Sequence, residues 1–582
     1  MMKKAIILIA ILFSATSCGD WLVREPKDEL SPDTYFTTEK ECELYTNRFY
    51  LMFPGASGIY GEEADYIITQ SLSSEVIGNR TVPSTSGTWS WDNLRDVNFF
   101  ISLSGNCKDE AVRNRYLGLA RFFRAYFYFE KVKRYGDVPW VDYPMDADDK
   151  SLYKGRDSRK MVMEHVLDDI DFAIEKLPAT KNVYTITKWT ALALKSRIFL
   201  FEGTFRKYHG IDGWESCLKE ASEAAGEFIS TSGYSLYKTG STPYLTLFNT
   251  VTTDTQEIIL TRAYSSAQGL VHDVNGRFTS MSMGKPGLAK DIVNSYLMAG
   301  DASRFTDIPG YETKTFVEET EGRDPRLAQT IRTPGYSRLG SGDKVAPDMA
   351  STTTGYQIIK YVGSTTYDAY NTSENDIPLF RTAEVYLNYA EALAELGTLT
   401  QADLDKSLNK IRQRVGMPFL QMAVANENPD PYLMSKDTGY PNVSENNKGV
   451  ILEIRRERTI ELVAEGFRYW DLMRWKEGKR MERPFLGMYF PGPGEYNLDN
   501  NGGPDFIIYE GSAPSSSDGV VLMSLEEASL TGGTSGNLTL HKNIARKFDE
   551  NRDYLYPIPT DDRVLTGGVI TQNPGWEDGL SF

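Results

Sequence analysis

Apolar residues recur along this chain in three patterns, and each predicts a different element. The first is continuous. Ala5 to Phe13 reads AIILIAILF behind Lys3 and Lys4. As a helix it would span about 14 Å at ~1.5 Å per residue. A bilayer core of about 30 Å needs about 20 residues, so the run is too short to cross and has the length of a signal-peptide core.

The second pattern alternates steps of three and four, which sets one face of a helix. Leu119, Phe122, Phe123, Tyr126 and Phe129 predict a helix through YLGLARFFRAYFYFEKVKRYGDVPW, with Arg121, Arg124 and Lys131 largely off that face. Gly136 and Pro139 stop it. Val162, Val166, Ile170, Ala173 and Leu177 predict the next, closed by Pro178. A third begins after Thr187, a good N-cap, and runs through WTALALKSRIFLF; a fourth covers about Trp214 to Ile229. Helices return at 381–396, 401–415 and 447–477. Small residues (Ala191 and Ala193, Ala221 and Ala225, Ala390 and Ala394) stand where helices must meet closely. That suits tetratricopeptide-like stacking, although no self-similarity at a period of about 34 residues runs through the chain.

The third pattern is broken. Between 232 and 378 Gly, Ser, Thr and Tyr rise, and the periodic pieces shorten to EIILTRAY and YQIIKYVG, which predict loops, small strands and short helices. After 477 the chain is loop-rich again, through PGPGEYNLDNNGGPDF and SAPSSSDG. The fold class is therefore mainly α, with two irregular insertions. The organisation is a signal peptide at 1–17, a polar, proline-punctuated tether at 18–35, an N-terminal helical part at 36–231, an irregular middle at 232–378 and a C-terminal part at 379–582.

Composition narrows the class. The 582 residues carry a net charge of −17, which becomes −19 without Lys3 and Lys4. That excludes a nucleic-acid backbone, which Lys and Arg neutralise, and polybasic docking on anionic lipid. With 41% hydrophobic and 12% aromatic residues a large core is available, and no later apolar run approaches the ~18 residues of a membrane helix. Cys42, Cys107 and Cys217 are widely spaced and form no CxxC, so no zinc or redox motif is present; their spacing does not choose a disulfide.

The fourth cysteine is different. Ala15, Thr16 and Ser17 precede Cys18. This resembles a bacterial lipobox, in which the cysteine becomes the first mature residue and is acylated. A plain cleaved signal with an incidental cysteine is the alternative. Several acyl chains at ~0.8 kcal/mol per buried CH₂ make a stable anchor.

Four further segments stand in order behind it: ARFFRAYFYFEKVKRYGDVPW (120–140); LFRTAEVYLNYAEAL (379–393) with LNKIRQRVGMP (408–418); ILEIRRERTIELVAEGFRYWDLMRW (451–475); and YLYPIPTDD with ITQNPGW (554–576). Together they resemble the SusD/RagB outer-membrane lipoproteins of Bacteroidota and span nearly the whole chain. The resemblance implies a SusD-like fold: a tetratricopeptide-like helical scaffold that packs on a transporter, and an irregular loop-rich region, with few short strands, that carries the ligand site. It implies a lipid-anchored lid, exposed on the cell surface, over a SusC-like TonB-dependent transporter. The lid captures an oligosaccharide or, in some relatives, a peptide, and has no catalytic residue and no cofactor.

The residues offer candidates for that site. Trp89 and Trp91 in TWSWDN are two apart, so both rings face one side if the stretch is extended. Pyranose C–H faces pack on such rings, while Glu75, Asn79, Arg80 and Asn93 are available to take sugar hydroxyls. Trp91 alternatively begins a helix carrying Phe99 and Phe100 and belongs to the core. Tyr296, Tyr311, Phe316 and Tyr336 are further aromatic candidates in the middle region. The charges of RRER (455–458) read as an ion-pair network fixing helices, with an anion site as the alternative. YPIP reads as a fixed closing stretch rather than a recognition peptide. DNNGGPD (499–505) lacks the spacing and closing Glu of a calcium loop and reads as a turn, so no metal is expected. The four histidines are scattered, with no HExxH and no GxSxG. A hydrolase would need only two carboxylates about 5 to 10 Å apart, which 80 acidic residues always permit, but no motif supports one.

Overall fold

The computed structural model describes residues 35–580, apart from positions 147, 444 and 445. The signal segment, Cys18 and the tether up to 34 lie outside the described residues.

The chain enters through α1 (Glu39–Thr46), whose first turn is a capping box: the Thr38 hydroxyl accepts from Glu41 N–H while the Glu41 carboxylate accepts from Thr38 N–H. After α2 (Asp92–Leu103) comes α3 (Glu110–Tyr135), started by the Asp109 carboxylate, which accepts from the N–H groups of Ala111 and Val112. Gly136 ends it at φ 73°. Then follow α4 (Arg159–Lys176), α5 (Lys188–His209) and α6 (Trp214–Thr231). Each packs on its predecessor, as the three- and four-residue periodicity requires. α5 and α6 meet most closely at Gly203, where a Cβ would lie 2.7 Å from the Leu218 side chain. Ala191, Ala193, Ala221 and Ala225 are fully buried there. α7 (Thr382–Leu396) joins the same stack against α5 and α6, far along the chain.

Two helices expected as continuous are broken. The 401–415 segment divides at Ser407 (φ −128°, ψ −98°) into α8 (Gln401–Lys406) and α9 (Leu408–Arg414). The 447–477 segment divides into α10 (Lys448–Glu461) and α11 (Arg468–Arg474), with Ala464 at φ 59° and Gly466 at φ 80° between them. The last carbonyls of α10, which have no intrahelical partner, find donors from elsewhere. Tyr244 Oη donates to Glu461 O (2.8 Å), Arg381 Nη2 to Glu461 O (2.8 Å) and Lys360 Nζ to Val463 O (2.7 Å). Three side chains remote in sequence thus hold the break open.

Strands are few and short. β1 (Ile67–Ile68) pairs with β3 (Gly287–Leu288), β2 (Ile258–Arg262) with β4 (Ile377–Arg381), and β5 (Phe485–Phe490) with β9 (Gly536–Leu540), all antiparallel. β6 (Gly494–Tyr496), β7 (Phe506–Tyr509) and β8 (Val521–Ser524) make a mixed ribbon. EIILTRAY supplies β2; YQIIKYVG is held by isolated bridges instead. The 499–505 stretch turns on its own side chains, Asp499 accepting from Asn501 N–H at 3.0 Å.

The RRER charges are buried and paired. Arg458 Nε donates to Asp471 (2.8 Å), Arg456 to Glu453 and Asp430, and Glu457 accepts from Arg412 (2.6 Å). Glu461 accepts from Arg381 (2.7 Å) and Arg414 (2.6 Å). Burial alone would raise Glu461; the three guanidinium groups of Arg414, Arg381 and Arg326 overcome it and hold the carboxyl at about 2. The network ties the middle region to α9 and α10 and leaves no exposed anion site in RRER. Cys42, Cys107 and Cys217 are buried free thiols.

Candidate ligand-binding site

The segment from 74 to 93 runs beside α3 and supplies most of the sequence candidates. It begins with one helical turn, Ser74–Ile77, ended by Gly78 at φ 79°. A Cβ on Gly78 would fall 1.6 Å from the Lys547 carbonyl oxygen, so the close approach needs glycine. Glu75 accepts a hydrogen bond from Tyr556 Oη (3.0 Å), and Asn79 is exposed. Arg80 is not a ligand-facing group. It is buried, donates to the Asp553 carbonyl (2.6 Å) and carboxylate (3.2 Å), and lies over the rings of Tyr556 and Trp576. It clamps the C-terminal YLYPIP stretch to this segment. That stretch is fixed as expected: Tyr556 N–H donates to Arg134 O, and Thr560 and Asp561 N–H to Pro83 O and Ser84 O.

The two tryptophans do not share a face. Gly87–Trp89 is a 3-10 turn rather than extended chain, and residues two apart in such a turn diverge. Trp89 is 2% exposed and meets Trp91 and Tyr135 edge-on, at 87° and 83°. It supports Trp91 and also borders the second of the concavities described below. Trp91 caps α2 and is half-buried. Lys131 fixes the turn from below: its Nζ donates to Thr88 O (2.7 Å) and Ser90 O (2.6 Å) and lies over Trp91 and Phe127. Burial, then the neighbouring Arg134 charge, lowers the Lys131 ammonium to about 7.

Three concavities flank this arrangement. One of about 540 Å³ lies between α3, α5 and α11, with Asn93, Lys131, Arg134 and Trp470 on its wall. A second of about 500 Å³ lies on the other side of Asp92 and is lined by Trp91, Arg95, Tyr143, Leu152 and Tyr153. A third of about 470 Å³ has Glu63, Glu75, Tyr469 and Tyr556 on its wall and shares Arg134 and Trp470 with the first. Such volumes are those of small-molecule sites. Trp91, Asn93 and Glu75 are thus gathered at adjacent cavities.

The middle-region aromatics are not. Tyr296 is fully buried, its hydroxyl 3.2 Å from Thr330 Oγ1; Phe316 is buried against Tyr356. Tyr311 packs edge-on against Phe305, and Tyr336 lies beside Arg332. None of these four lines the cavities above. Conversely, Arg134, Trp470, Tyr153 and Tyr556 were not anticipated as site residues. Trp470 and Tyr556 stand in segments that read as scaffold, and Tyr153 stands in a loop without periodicity. Arg134 is one of several basic residues of α3 and carries no distinguishing signal in the sequence.

The histidines are occupied structurally. His209 Nε2 pairs with the Met473 carbonyl and burial pushes it down to about 4; His165 stacks on Trp140. Among the described residues no group of three or more His, Cys, Asp or Glu is placed to hold a metal, and no helix is long and apolar enough to cross a membrane.

Stacked helix pairs joined to a loop-rich region with few short strands define a class of mainly helical proteins. Comparison with known proteins identifies which. The family model described as "SusD family" matches residues 252–576, and one described as "Starch-binding associating with outer membrane" matches 93–200. The chain belongs to the SusD family. SusD-like protein P38 of Formosa agariphila is 24% identical over 519 residues, covering 84% of this chain and 94% of the relative. SusD-like protein P2 of the same organism is 23% identical, covering 99% and 100%. Among solved structures, a SusD-like protein of Bacteroides fragilis superimposes with a TM-score of 0.68 at 22% identity, covering 95% of this chain and 100% of the other. A SusD-like carbohydrate binding protein of the same species gives 0.66 at 20%, covering 91% and 99%. The fold is the expected SusD-like one.

Proposed function

We propose that this protein is a non-catalytic, surface-exposed glycan-binding lipoprotein. It captures oligosaccharides and delivers them to a SusC-like TonB-dependent transporter of the outer membrane. The observation that carries the reading is the set of half-buried rings, Trp91, Trp470 and Tyr556, on the walls of adjacent open cavities. A pyranose ring would pack on the ring surface that Lys131, Lys133, Arg80 and Arg134 leave open, beside polar groups, Glu75 and Asn93, that suit its hydroxyls. Trp89 acts behind Trp91 as its buttress. The description of the 93–200 match and the carbohydrate-binding structural relative support the same ligand class. Acylated Cys18 holds the domain at the membrane.

Affinity electrophoresis and calorimetry of the full chain in detergent, against a panel of plant, host and microbial glycans, test the reading. Binding without turnover is expected. Trp91→Ala or Trp470→Ala is expected to weaken it at least tenfold. Binding to no glycan, with binding to peptides instead, would move the protein to peptide capture; turnover of a glycan would make it a hydrolase.

A further inference from the structure

Arg134 is a cavity-wall residue whose guanidinium no carboxylate pairs among the described residues. Its guanidinium lies between two rings, 5.2 Å from the Trp470 centroid and 4.7 Å from Tyr556. It is half-buried, borders both the 540 Å³ and the 470 Å³ cavities, and makes no ion pair and no side-chain hydrogen bond among the described residues. The carboxylates around it bond to other groups, although Glu130 still attracts the guanidinium through space. Glu130, one turn back on α3, takes Lys133 at 2.6 Å; Glu75 takes Tyr556 Oη; Glu63 takes Ser73 N–H at 2.9 Å; Asp92 takes Ser90 Oγ at 2.8 Å. Arg197, across the larger cavity, is paired with Glu384. Lys131, three residues before Arg134, meets only the two backbone carbonyls of the 88–90 turn. The junction of the two cavities therefore presents a guanidinium that no carboxylate pairs, on walls that also carry Glu63, Glu75, Asp92 and Glu130.

A guanidinium stacked on aromatic rings keeps its N–H edge free, and that planar edge matches a carboxylate or a sulfate with two parallel hydrogen bonds. Resting on the glycan-binding reading above, we infer that the ligand carries an acidic group, a uronate carboxylate or a sugar sulfate, which Arg134 receives at the cavity junction while Trp470 and Tyr556 hold the adjoining ring. The acidic residues nearby repel a densely charged polyanion, so acid groups spaced by neutral sugars suit the site.

The test uses matched ligands on the full chain, with acid groups spaced by neutral sugars: glucuronoxylan beside its carboxyl-reduced form, and kappa-carrageenan beside its desulfated form. The two pairs separate carboxylate from sulfate recognition. Calorimetry is expected to show one acidic form bound at least tenfold more tightly than its neutral counterpart, with the preference shrinking as NaCl is raised from about 50 to 500 mM. Arg134→Met, which keeps the stem between the rings, is expected to abolish that preference, and Arg134→Lys to retain part of it. If Arg134→Met does not fold, the wild-type matched pairs and Arg134→Lys decide. Equal affinity for acidic and neutral forms, or an acidic preference that survives in Arg134→Met, would overturn the inference while leaving glycan capture intact. Failure of every acidic and neutral glycan to bind would remove both.

Discussion

Lys131 and Glu62 show how single burials tune this protein near neutrality. Lys131 titrates at about 7 in the fold, lowered by burial and then by Arg134, against about 10.4 in an unfolded chain. Between those values the unfolded state binds more protons, so the Lys131 contribution to stability rises with pH across about 7 to 10. Lys131→Met removes the donors to Thr88 O and Ser90 O, at a cost of about 1–3 kcal/mol at pH 9. The deficit narrows at pH 6, where the wild type must protonate a buried amine. Urea unfolding at the two pH values checks this. Glu62 shifts the other way. Burial raises it from 4.5 to about 7, although it accepts from Tyr469 N–H (2.7 Å) and Tyr66 Oη (2.7 Å). Its contribution is present below 4.5 and lost as pH rises through 7. Glu62→Gln should therefore melt higher than wild type at pH 8 and nearly with it at pH 5. A Glu62→Gln protein that melts lower at pH 8 would refute the assignment. Neither effect was legible in the sequence, because both depend on what covers the residue. The tryptophans teach the same lesson. TWSW places two rings on one side only in extended chain; the 3-10 turn held by Lys131 separates them into a support and an exposed face.

At the scale of elements, what is local was readable and what is imposed from a distance was not. The stop of α3, the stop of α4 and the start of α5 follow from Gly136, Pro178 and Thr187, each close to the end it makes. The break between α10 and α11 does not. LVAEGF (462–467) has good helix formers at Ala464 and Glu465, and the chain leaves the helix because Tyr244, Arg381 and Lys360 claim its carbonyls. Lys360 also donates to the Glu465 carboxylate at 2.6 Å, fully buried. Lys360→Met would leave Val463 O without its donor and remove one of the two cations on Glu465. Breaking a buried pair costs about 3–5 kcal/mol, so the denaturation midpoint should fall with little change in slope. A midpoint within error of wild type would show that the break is set by local sequence. Helix contact is a second element-scale property that composition hints at through small residues. At Gly203 it becomes specific: Gly203→Val must displace Leu218 or part α5 from α6, costing about 1–3 kcal/mol, read as a fall in the urea midpoint.

For the whole molecule, the proposed function puts membrane attachment and ligand capture in separate parts of the chain. The cavities are built from residues between 52 and 570. The described helices include none able to span a bilayer, and a charge of −17 gives no attraction to anionic lipid. On the lipoprotein reading proposed above, membrane affinity would come from the leader, where acyl chains on Cys18 would contribute about 0.8 kcal/mol per buried CH₂. Cys18→Ser is expected to move the protein from the membrane fraction to the soluble fraction of the same cells. Its glycan affinity in calorimetry should stay within about twofold of wild type, since no cavity wall changes. Growth on the bound glycan should nevertheless fall, because a lid must stay beside its transporter for one binding event to become one delivery. A Cys18→Ser protein that remains in the membrane fraction after a high-salt wash would place the attachment in the folded domain itself. A soluble variant that supports wild-type growth would show instead that contact with the transporter, through the helical stack, is strong enough to hold the lid without lipid.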